Sequence, residues 1–283
     1  MKIAVYVDYT SSNSQALTVA MSKGFKANGA VVNYIEDTHY QSDDPDFYDG
    51  AIVYGYKHRH QAILAGYKKA MKFCVLIDAG YFKRDKYYKC TINDRHPNAY
   101  IMNGTYPKHR LESFGGVEIT PWQKNKDGHI LVAGISDKAA ADYNLDPYEW
   151  EREAIRLLRD YTKRKIVYRP KPNFRGSENQ VGADEFAKKG SIEQYLSGAW
   201  ALVTRHGNSS IDAVCAGVPC LAEDGAGVFL GYSDFTKIES PFYPSSDYVY
   251  DVLCKLAYCQ FTANEMASGF AFDVLMRQFY DLQ

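Results

Sequence analysis

The sequence lacks several features that would place the protein in a specialised class. No apolar run reaches the roughly 18–20 residues that span a bilayer, so we expect no membrane-spanning segment. The six cysteines form no Cys-x-x-Cys motif, and a chain of 283 residues does not need disulfides to build a core. The first residues, Met1 to Asp8, alternate like a buried strand and contain no signal-peptide cleavage pattern. We therefore expect reduced thiols in a cytoplasmic protein.

The composition is that of a folded, globular chain. Hydrophobic residues make up 46% of the sequence and charged residues 24%, which excludes intrinsic disorder, collagen and a coiled coil. The sequence contains neither an internal repeat nor a low-complexity tract. Its length suits two domains of ordinary size.

The formal net charge of −1 conceals a strongly basic region between Lys57 and Arg110. That window contains 12 lysines and arginines but only 3 aspartates, a balance of 12 − 3 = +9, with tyrosines interleaved among the cations. Cations beside stackable rings suit a polyanion that also presents bases. The alternative, left open here, is a solvated lysine-rich face over packed tyrosines.

Strand-like and helical patterns alternate along the chain, which predicts an α/β fold with parallel sheets. We expect strands at 2–7, 31–35, 51–54, 73–77, 130–133, 166–169, 201–204 and 220–222, and helices at 14–27, 60–71, 146–162, 191–197, 209–216 and 264–282. We expect two domains, 1–163 and 164–283, with a ligand cleft between them. The last helix, 264–282, is expected to pack back on the first domain.

The most informative segment runs from Thr204 to Pro219. An apolar strand ends there in a polar turn, Arg205-His206-Gly207-Asn208, which leads into a helix beginning near Ser209. The free N–H groups and positive dipole end of such a helix favour a phosphate. Asp212 lies close enough to the start of the helix to accept hydrogen bonds from ribose hydroxyls. A plain N-capped helix with a core histidine is the open alternative.

The same residues carry a resemblance. The run Asn208-Ser209-x-x-Asp212-Ala213-x-x-x-Gly217-Val218-Pro219 resembles the donor-binding signature of nucleotide-sugar glycosyltransferases with two facing Rossmann-like domains, the GT-B architecture. The family pattern has a longer spacing from histidine to Asn-Ser, and glutamate in place of Asp212. The resemblance implies a nucleotide-sugar donor, most simply a UDP-sugar. It assigns the diphosphate to the turn, the ribose to Asp212 and a sugar hydroxyl to Glu223; the implied turn residues are His206, Gly207, Asn208, Ser209 and Ser210.

Two further segments are similar to small phage-encoded glycosyltransferases. They are residues 161–172, which end in Arg169-Pro170-Lys171-Pro172, and residues 259–269. We expect Arg169 and Lys171, held by prolines at a strand end, to face the donor diphosphate; a basic turn is the alternative. For a phage-encoded enzyme, the cytoplasm would be that of the host cell.

In the first half, Asp78 follows the apolar run 73–77 and precedes a glycine turn. An inverting sugar transfer needs a base for the acceptor hydroxyl, and Asp78 is our candidate, with Asp8 second and Glu112 third. A carboxylate that caps the turn or pairs with Arg84 is the alternative. Asp44-Pro45-Asp46 has the letters of a metal-binding Asp-x-Asp motif without a leading strand. We therefore interpret it as a turn and expect no obligatory metal.

The acceptor is inferred from the basic region around Asp78. It suits DNA, gripped through its phosphates while a base is presented for reaction; the candidate cations are Lys57, Arg59, Lys83, Arg84, Lys86 and Lys89. The phage resemblance implies DNA modification, with the hydroxyl supplied by hydroxymethylcytosine or hydroxymethyluracil. Two alternatives remain: a glycosyltransferase acting on a polysaccharide or surface glycan, and a non-catalytic DNA-binding module on a transferase fold.

Overall fold

Strands and helices alternate along most of the described chain. A computed structural model describes residues 1–97, 99–115, 117–171, 181–187 and 189–281. The strands are β1 (Lys2–Val7), β2 (Val31–Glu36), β3 (Gly50–Tyr54), β4 (Phe73–Ala79), β5 (Tyr88–Ile92), β6 (His129–Ala133), β7 (Ile166–Arg169), β8 (Glu185–Phe186), β9 (Ala199–Thr204), β10 (Cys220–Ala222) and β11 (Gln260–Phe261).

The helices connect these strands, with short 3₁₀ turns at Asp37–His39, Ala226–Phe229 and Phe235–Lys237. They are α1 (Ser12–Ala27), α2 (Asp44–Phe47), α3 (His58–Lys69), α4 (Ala99–Asn103), α5 (His109–Ser113), α6 (Asp137–Asp142), α7 (Glu149–Tyr161), α8 (Ile192–Leu196), α9 (Ser209–Cys215), α10 (Ser246–Ala257), α11 (Ala263–Ala267) and α12 (Phe270–Tyr280).

The chain divides into two compact units. Unit 1 comprises Met1–Gly115 and Leu253–Gln283, and unit 2 comprises Gly116–Val252. The boundary that we predicted at residues 163–164 differs from this division, because it falls inside unit 2. The strand β6, which precedes it, pairs with both β7 and β9, so residues 129–133 form the centre of the second sheet.

The sheet of unit 1 has the order β11-β5-β4-β3-β1-β2. The strands β1 to β4 are parallel, whereas β5 and β11 pair antiparallel at one edge. Because β1 lies between β2 and β3, the strand order reverses there. Ligands of such doubly wound sheets bind outside the carboxyl ends of the strands at this reversal.

Both faces of this sheet are covered, which explains why its parallel strands are almost continuously apolar. On one face, Phe25 of α1 and Leu275 of α12 pack with Phe73. On the other face, Ile63 and Tyr67 of α3 pack over the alternate residues of the strands. The C-terminal segment therefore belongs to the hydrophobic core of unit 1.

The sheet of unit 2 is parallel throughout and has the order β10-β9-β6-β7-β8. Counted within the unit, this is the Rossmann order 3-2-1-4-5, and it reverses between β6 and β9. Trp150 and Leu158 of α7 pack on one face with Tyr168. The strand order therefore predicts a binding crevice where β6 and β9 end.

The C-terminal helix expected over 264–282 is two helices, α11 and α12. They are separated at Gly269, whose φ of +93° is a left-handed conformation that favours glycine. A Cβ placed on Gly24 of α1 would lie 2.1 Å from the carbonyl oxygen of Met266, so these helices pack in close contact. Leu282, at the end of the expected helix, lies outside the described residues.

Two kinds of feature, a membrane-spanning helix and a disulfide, are absent from the residues that the structure describes. Within them, none of the helices combines the length and apolar character needed to cross a bilayer. All six cysteines lie in the described ranges, and none of them forms a disulfide there.

Candidate functional site

In unit 2, the ends of β6 and β9 are joined through a buried threonine. The hydroxyl of Thr204 donates to the carbonyl of Ala133 at 3.2 Å and accepts from the N–H of Gly207 at 3.3 Å. The polar turn predicted after residue 204 is therefore fixed directly over the reversal of the strand order.

Gly207 is required by close approach in this turn. A Cβ placed there would lie 2.8 Å from both Ser209 Oγ and Thr204 Oγ1, and 3.8 Å from Lys171 Nζ. The Lys171 ammonium, predicted from a motif more than 30 positions earlier, therefore lies beside the turn. Ser209 Oγ is buried and has no hydrogen-bond partner within the described parts of the chain. These groups form a small cationic and hydroxyl-lined cradle.

Ser210 and Asn208 differ in position from the simplest expectation. Ser210 is buried, and its hydroxyl donates to the carbonyl of Gly207 at 2.9 Å, so it stabilises the turn rather than facing outward. Asn208 has helical backbone angles and its side chain does not cap α9. Asp212 lies in the first turn of α9, half-buried, as the sequence pattern indicates.

Beside the turn, charged and aromatic side chains interlock. The Arg205 guanidinium lies 4.0 Å from the centre of the Tyr143 ring and 3.1 Å from a carboxylate oxygen of Glu223. Glu223 also accepts a hydrogen bond of 2.9 Å from the indole of Trp150. The hydroxyl of Tyr143 lies 3.5 Å from His206 Nδ1. Sequence reasoning missed Tyr143 and Trp150, because α6 and α7 bring them in from other parts of the chain.

Arg169 ends β7, which is separated from β9 and the turn that follows it by β6. Its guanidinium donates to the carbonyl of Ala187 at 3.4 Å and lies 5.7 Å from the centre of the Tyr195 ring. These contacts direct the side chain toward the β8 edge, whereas Lys171 lies beside Gly207. Pro172, which completes the predicted motif, lies outside the described residues.

A buried carboxylate supports the end of β6. Glu151 accepts the N–H of Ile135 at 2.9 Å, and a Cβ placed on Gly134 would lie 2.8 Å from both Glu151 Oε1 and the Tyr168 hydroxyl. Burial raises the pKa of Glu151 above its ordinary value. Sequence reasoning missed this residue, since it lies on α7, in a stretch read only as a helix.

In unit 1, Asp78 lies near the carboxyl end of β4, opposite Lys89 of β5. One oxygen accepts the N–H of Ala79 at 2.8 Å, and the other lies 3.9 Å from Lys89 Nζ. The side chain is 31% exposed, so a reacting hydroxyl can reach it. Burial raises the pKa of the Tyr54 hydroxyl, which accepts a hydrogen bond of 3.3 Å from the side-chain amide of Asn13.

The predicted DNA-binding cations divide into two groups. Lys83, Arg84 and Lys86 are exposed in the loop that follows β4, where Lys83 has a left-handed φ of +44°. Lys89 differs, because it is 4% exposed and its ammonium donates to the carbonyl of Arg95 at 2.9 Å. Lys89 therefore does not belong to the exposed basic surface.

Lys57 and Arg59 are paired with acidic groups at the ends of β1 and β2. Arg59 lies 2.7 Å from the buried carboxylate of Asp37, and Lys57 pairs with Asp8 and lies 3.8 Å from Asp37. His60 Nε2 lies 3.0 Å from the same Asp37 carboxylate. The hydrogen bond from Lys57 holds the pKa of Asp8 well below its ordinary value. Asp8 is therefore a weaker candidate base than Asp78.

Asp44, part of the Asp-x-Asp sequence, accepts hydrogen bonds from the Tyr6 hydroxyl at 2.7 Å and from the N–H of Gln41 at 3.1 Å. It lies in the single-turn helix α2. Over the ranges that the structure describes, no group of three or more His, Cys, Asp or Glu side chains could hold a metal ion.

Comparison with known proteins gives a structural similarity only. No protein-family model matches the sequence, and no curated protein sequence matches it. The structure is similar to the KpsC beta Kdo 2,4 transferase of Thermosulfurimonas dismutans, at 11% identity and a TM-score of 0.55, over 99% of this chain and 98% of the other. It is also similar to the KpsC beta Kdo 2,7 transferase of that organism, at 14% identity and 0.56, over 96% and 98%. This chain therefore has the fold of these transferase structures, which confirms the predicted pair of Rossmann-like α/β domains.

Proposed function

We propose that the protein is a glycosyltransferase that moves a sugar from a nucleotide-sugar donor to an acceptor hydroxyl. The observation that carries this proposal is the cradle at the end of β9, where Lys171 Nζ approaches Gly207 beside the Ser209 hydroxyl, which has no hydrogen-bond partner among the described residues. A diphosphate suits it, because cations and polar hydrogen atoms converge at the reversal of a Rossmann sheet. The whole-length similarity to two transferase structures supports the same reading.

In this proposal the donor is a UDP-sugar held by unit 2. Lys171, Ser209, Asn208 and His206 contact the diphosphate, and Asp212 accepts hydrogen bonds from the ribose hydroxyls. Ser210 and Gly207 shape the turn. Glu223 positions Arg205 and Trp150 and remains the candidate for a sugar hydroxyl. Arg169 requires a side-chain rotation to reach the donor, since it now contacts Ala187.

The proposed reaction is a direct displacement. Asp78 removes the proton of the acceptor hydroxyl as its oxygen attacks the anomeric carbon, and the bond from that carbon to the donor phosphate breaks. The nucleoside diphosphate leaves with the bonding electrons. Lys171 and the turn of unit 2 stabilise its developing negative charge, so this chain supplies positive charge itself.

We propose 5-hydroxymethylpyrimidines in DNA as the acceptor. The support comes from the exposed cations Lys83 and Lys86, which follow directly on the strand that carries Asp78. They can bind the phosphates on either side of a base presented for reaction. Lys57 and Arg59 pair with acidic side chains of unit 1. The proposed DNA-binding surface is therefore limited to the loop after β4.

A glycan acceptor is the second candidate, because both similar structures are transferases of the sugar Kdo by name. In that case the exposed loop would bind an anionic saccharide. A non-catalytic DNA-binding module is the third, and it predicts DNA binding without donor turnover.

The test is mass spectrometry of nucleosides after the protein is incubated with hydroxymethylcytosine or hydroxymethyluracil DNA and a panel of nucleotide sugars. A sugar-sized mass gain on the modified base is the expected result. Donor hydrolysis without such a gain would retain the transferase and discard DNA as the acceptor. DNA binding with neither product would favour the non-catalytic module.

A further inference from the structure

A pocket of about 410 Å³ lies within unit 1, beside α12. Tyr106 and Tyr258 form one side of it, Val274 and Gln278 lie on α12, and Arg277 and Asp281 stand at its rim. The volume falls within the range of about 300–1,000 Å³ that is usual for small-ligand sites. None of these residues has a role in the donor and acceptor sites proposed above.

The aromatic side of the pocket is fixed by its own contacts. The ring centres of Tyr106 and Tyr258 are 5.0 Å apart with planes tilted by 40°, and both side chains are half-buried. The hydroxyl of Tyr258 lies 3.4 Å from His109 Nε2. The two rings therefore offer apolar faces against which a flat ring can stack.

Gln278 supplies the second observation. It is 3% exposed, and neither its amide nitrogen nor its amide oxygen has a hydrogen-bond partner within the described ranges. Such a buried amide is unfavourable for stability, which calls for another explanation of its presence. Its adjacent donor and acceptor match the edge of a nucleobase, as glutamine matches adenine. Both amide atoms are shielded from solvent in this structure, so a ligand in the pocket would be met by a rotation of the Gln278 side chain toward it.

Two charged side chains are among the exposed residues that line the pocket. Arg277 is exposed at the mouth of the pocket, and its guanidinium can bind a phosphate through two hydrogen bonds. Asp281, at the same mouth, can accept hydrogen bonds from a ribose hydroxyl or an exocyclic amine.

From these features we infer a second nucleotide-binding pocket, separate from the donor cradle. The base stacks on Tyr106 and Tyr258, its edge meets the Gln278 amide, and its phosphate meets Arg277. A nucleotide accounts for all three features together, because it supplies a flat base, a base edge with donors and acceptors, and a phosphate. The nucleotide can be a free monophosphate or a residue of a single strand, since both present the same chemistry.

The test is calorimetric titration of the full chain with dAMP, with UDP present at saturation so that the donor cradle is filled. Gln278→Leu removes both amide atoms at similar volume, and we expect it to weaken dAMP binding at least tenfold. Gln61→Leu is the matched control, because Gln61 also has a buried amide nitrogen with no hydrogen-bond partner in the described part of the chain, but does not line the pocket. We expect the control to bind dAMP like the wild type.

Arg277→Ala tests the contribution of the phosphate to binding separately from that of the base. We expect it to weaken dAMP at least fivefold and to leave deoxyadenosine within twofold of the wild type. A short oligo(dA) that binds tenfold more tightly than dAMP identifies a strand as the ligand, and equal affinities identify the free nucleotide.

Three outcomes would overturn the inference. They are unchanged dAMP affinity in Gln278→Leu, loss of dAMP binding in Lys171→Ala, and binding of neutral saccharides with no binding of dAMP. The unfolding temperature of Gln278→Leu checks its folding, and we expect it to equal or exceed that of the wild type. Donor hydrolysis should persist in Gln278→Leu, so failure here is distinguishable from failure of the proposed transferase function.

Discussion

The charged side chains at the carboxyl ends of the two sheets are arranged differently. In unit 1, Lys57 and Arg59 are neutralised by Asp8 and by the buried Asp37. In unit 2, Lys171 lies beside a buried serine hydroxyl that has no partner within the described ranges. The first arrangement stabilises its own loops, whereas the second is the one that we propose for binding the donor diphosphate. A count of charges along the sequence does not distinguish the two.

Asp78 is a half-buried carboxylate of unit 1 that lies outside the paired cluster formed by Asp8, Asp37, Lys57 and Arg59. Its substitution is expected to have the largest effect. We expect Asp78→Asn to lower sugar transfer by about 10²–10⁴-fold, the usual contribution of a general base. The affinity for the donor should stay within twofold, because Asp78 is not part of the donor cradle. Transfer rates and donor titrations on the same preparations measure both quantities.

Asp46→Asn is the control for this change, because Asp46 is an exposed carboxylate of unit 1 that lies outside the loop after β4. It should transfer sugar at the wild-type rate. Equal losses of donor affinity in Asp78→Asn and Asp212→Ala would contradict the assignment of acceptor and donor to different units.

We expect substitution within the paired cluster to lower the stability of the protein. Asp37→Asn removes a buried carboxylate that lies 2.7 Å from Arg59 and 3.0 Å from His60. Hydrogen bonds to charged groups contribute about 1.5–3 kcal/mol, so we expect the free energy of unfolding to fall by about 2–3 kcal/mol. Urea unfolding at neutral pH measures this change.

Glu185→Gln is the matched control in unit 2, where it breaks an exposed pair of 2.6 Å with Lys165. Exposed pairs contribute about 0–1 kcal/mol, so this variant should unfold almost as the wild type does. Equal effects of the two substitutions would show that the unit 1 cluster is no more stabilising than a surface pair.

We expect substitution in the donor cradle to weaken UDP binding rather than to lower stability. Lys171→Ala removes the ammonium beside Gly207, and a charge-assisted contact of about 1.5–3 kcal/mol corresponds to roughly 10- to 100-fold in UDP affinity. Lys165→Ala, an exposed lysine of the same unit, is the control and should bind UDP normally. Unchanged UDP affinity in Lys171→Ala would place the donor elsewhere.

The sequence predicted the parallel strands well, for a physical reason. Strands such as 2–7 and 166–169 are buried on both faces, so their apolar runs are continuous and their bounds agree with the structure. The strand β5 was missed, because lysine and threonine interrupt its apolar pattern and it pairs at an antiparallel edge. The division of the chain before β6 coincides with glycines at 115 and 116, Pro121 and the charged residues of 124–127, whereas our predicted boundary followed the end of α7.

Site prediction failed where partners are far apart in the chain. The cation of Arg110 counted toward the basic region, yet it is buried and lies 2.8 Å from Glu265, 155 positions later. The pairing of Arg59 with Asp37, 22 positions earlier, is also not visible from local sequence. Lys171 and Ser209 were predicted from different motifs, and the structure brings both beside Gly207. Residue types and spacing thus predict which groups are present but not which of them are already paired.

The smallest expected effect concerns the exposed loop after β4. Lys83 has a left-handed φ of +44°, a conformation that glycine adopts without strain, so Lys83→Gly removes the charge while the loop keeps its shape. If Lys83 binds a phosphate, the slope of log K for duplex DNA against log salt should become shallower by about 0.9. Lys69→Gln, at the end of α3, removes one charge without touching this loop and should leave the slope unchanged. Equal slopes for wild type and Lys83→Gly would mean that the loop does not contact DNA, and the glycan acceptor would then become the better proposal.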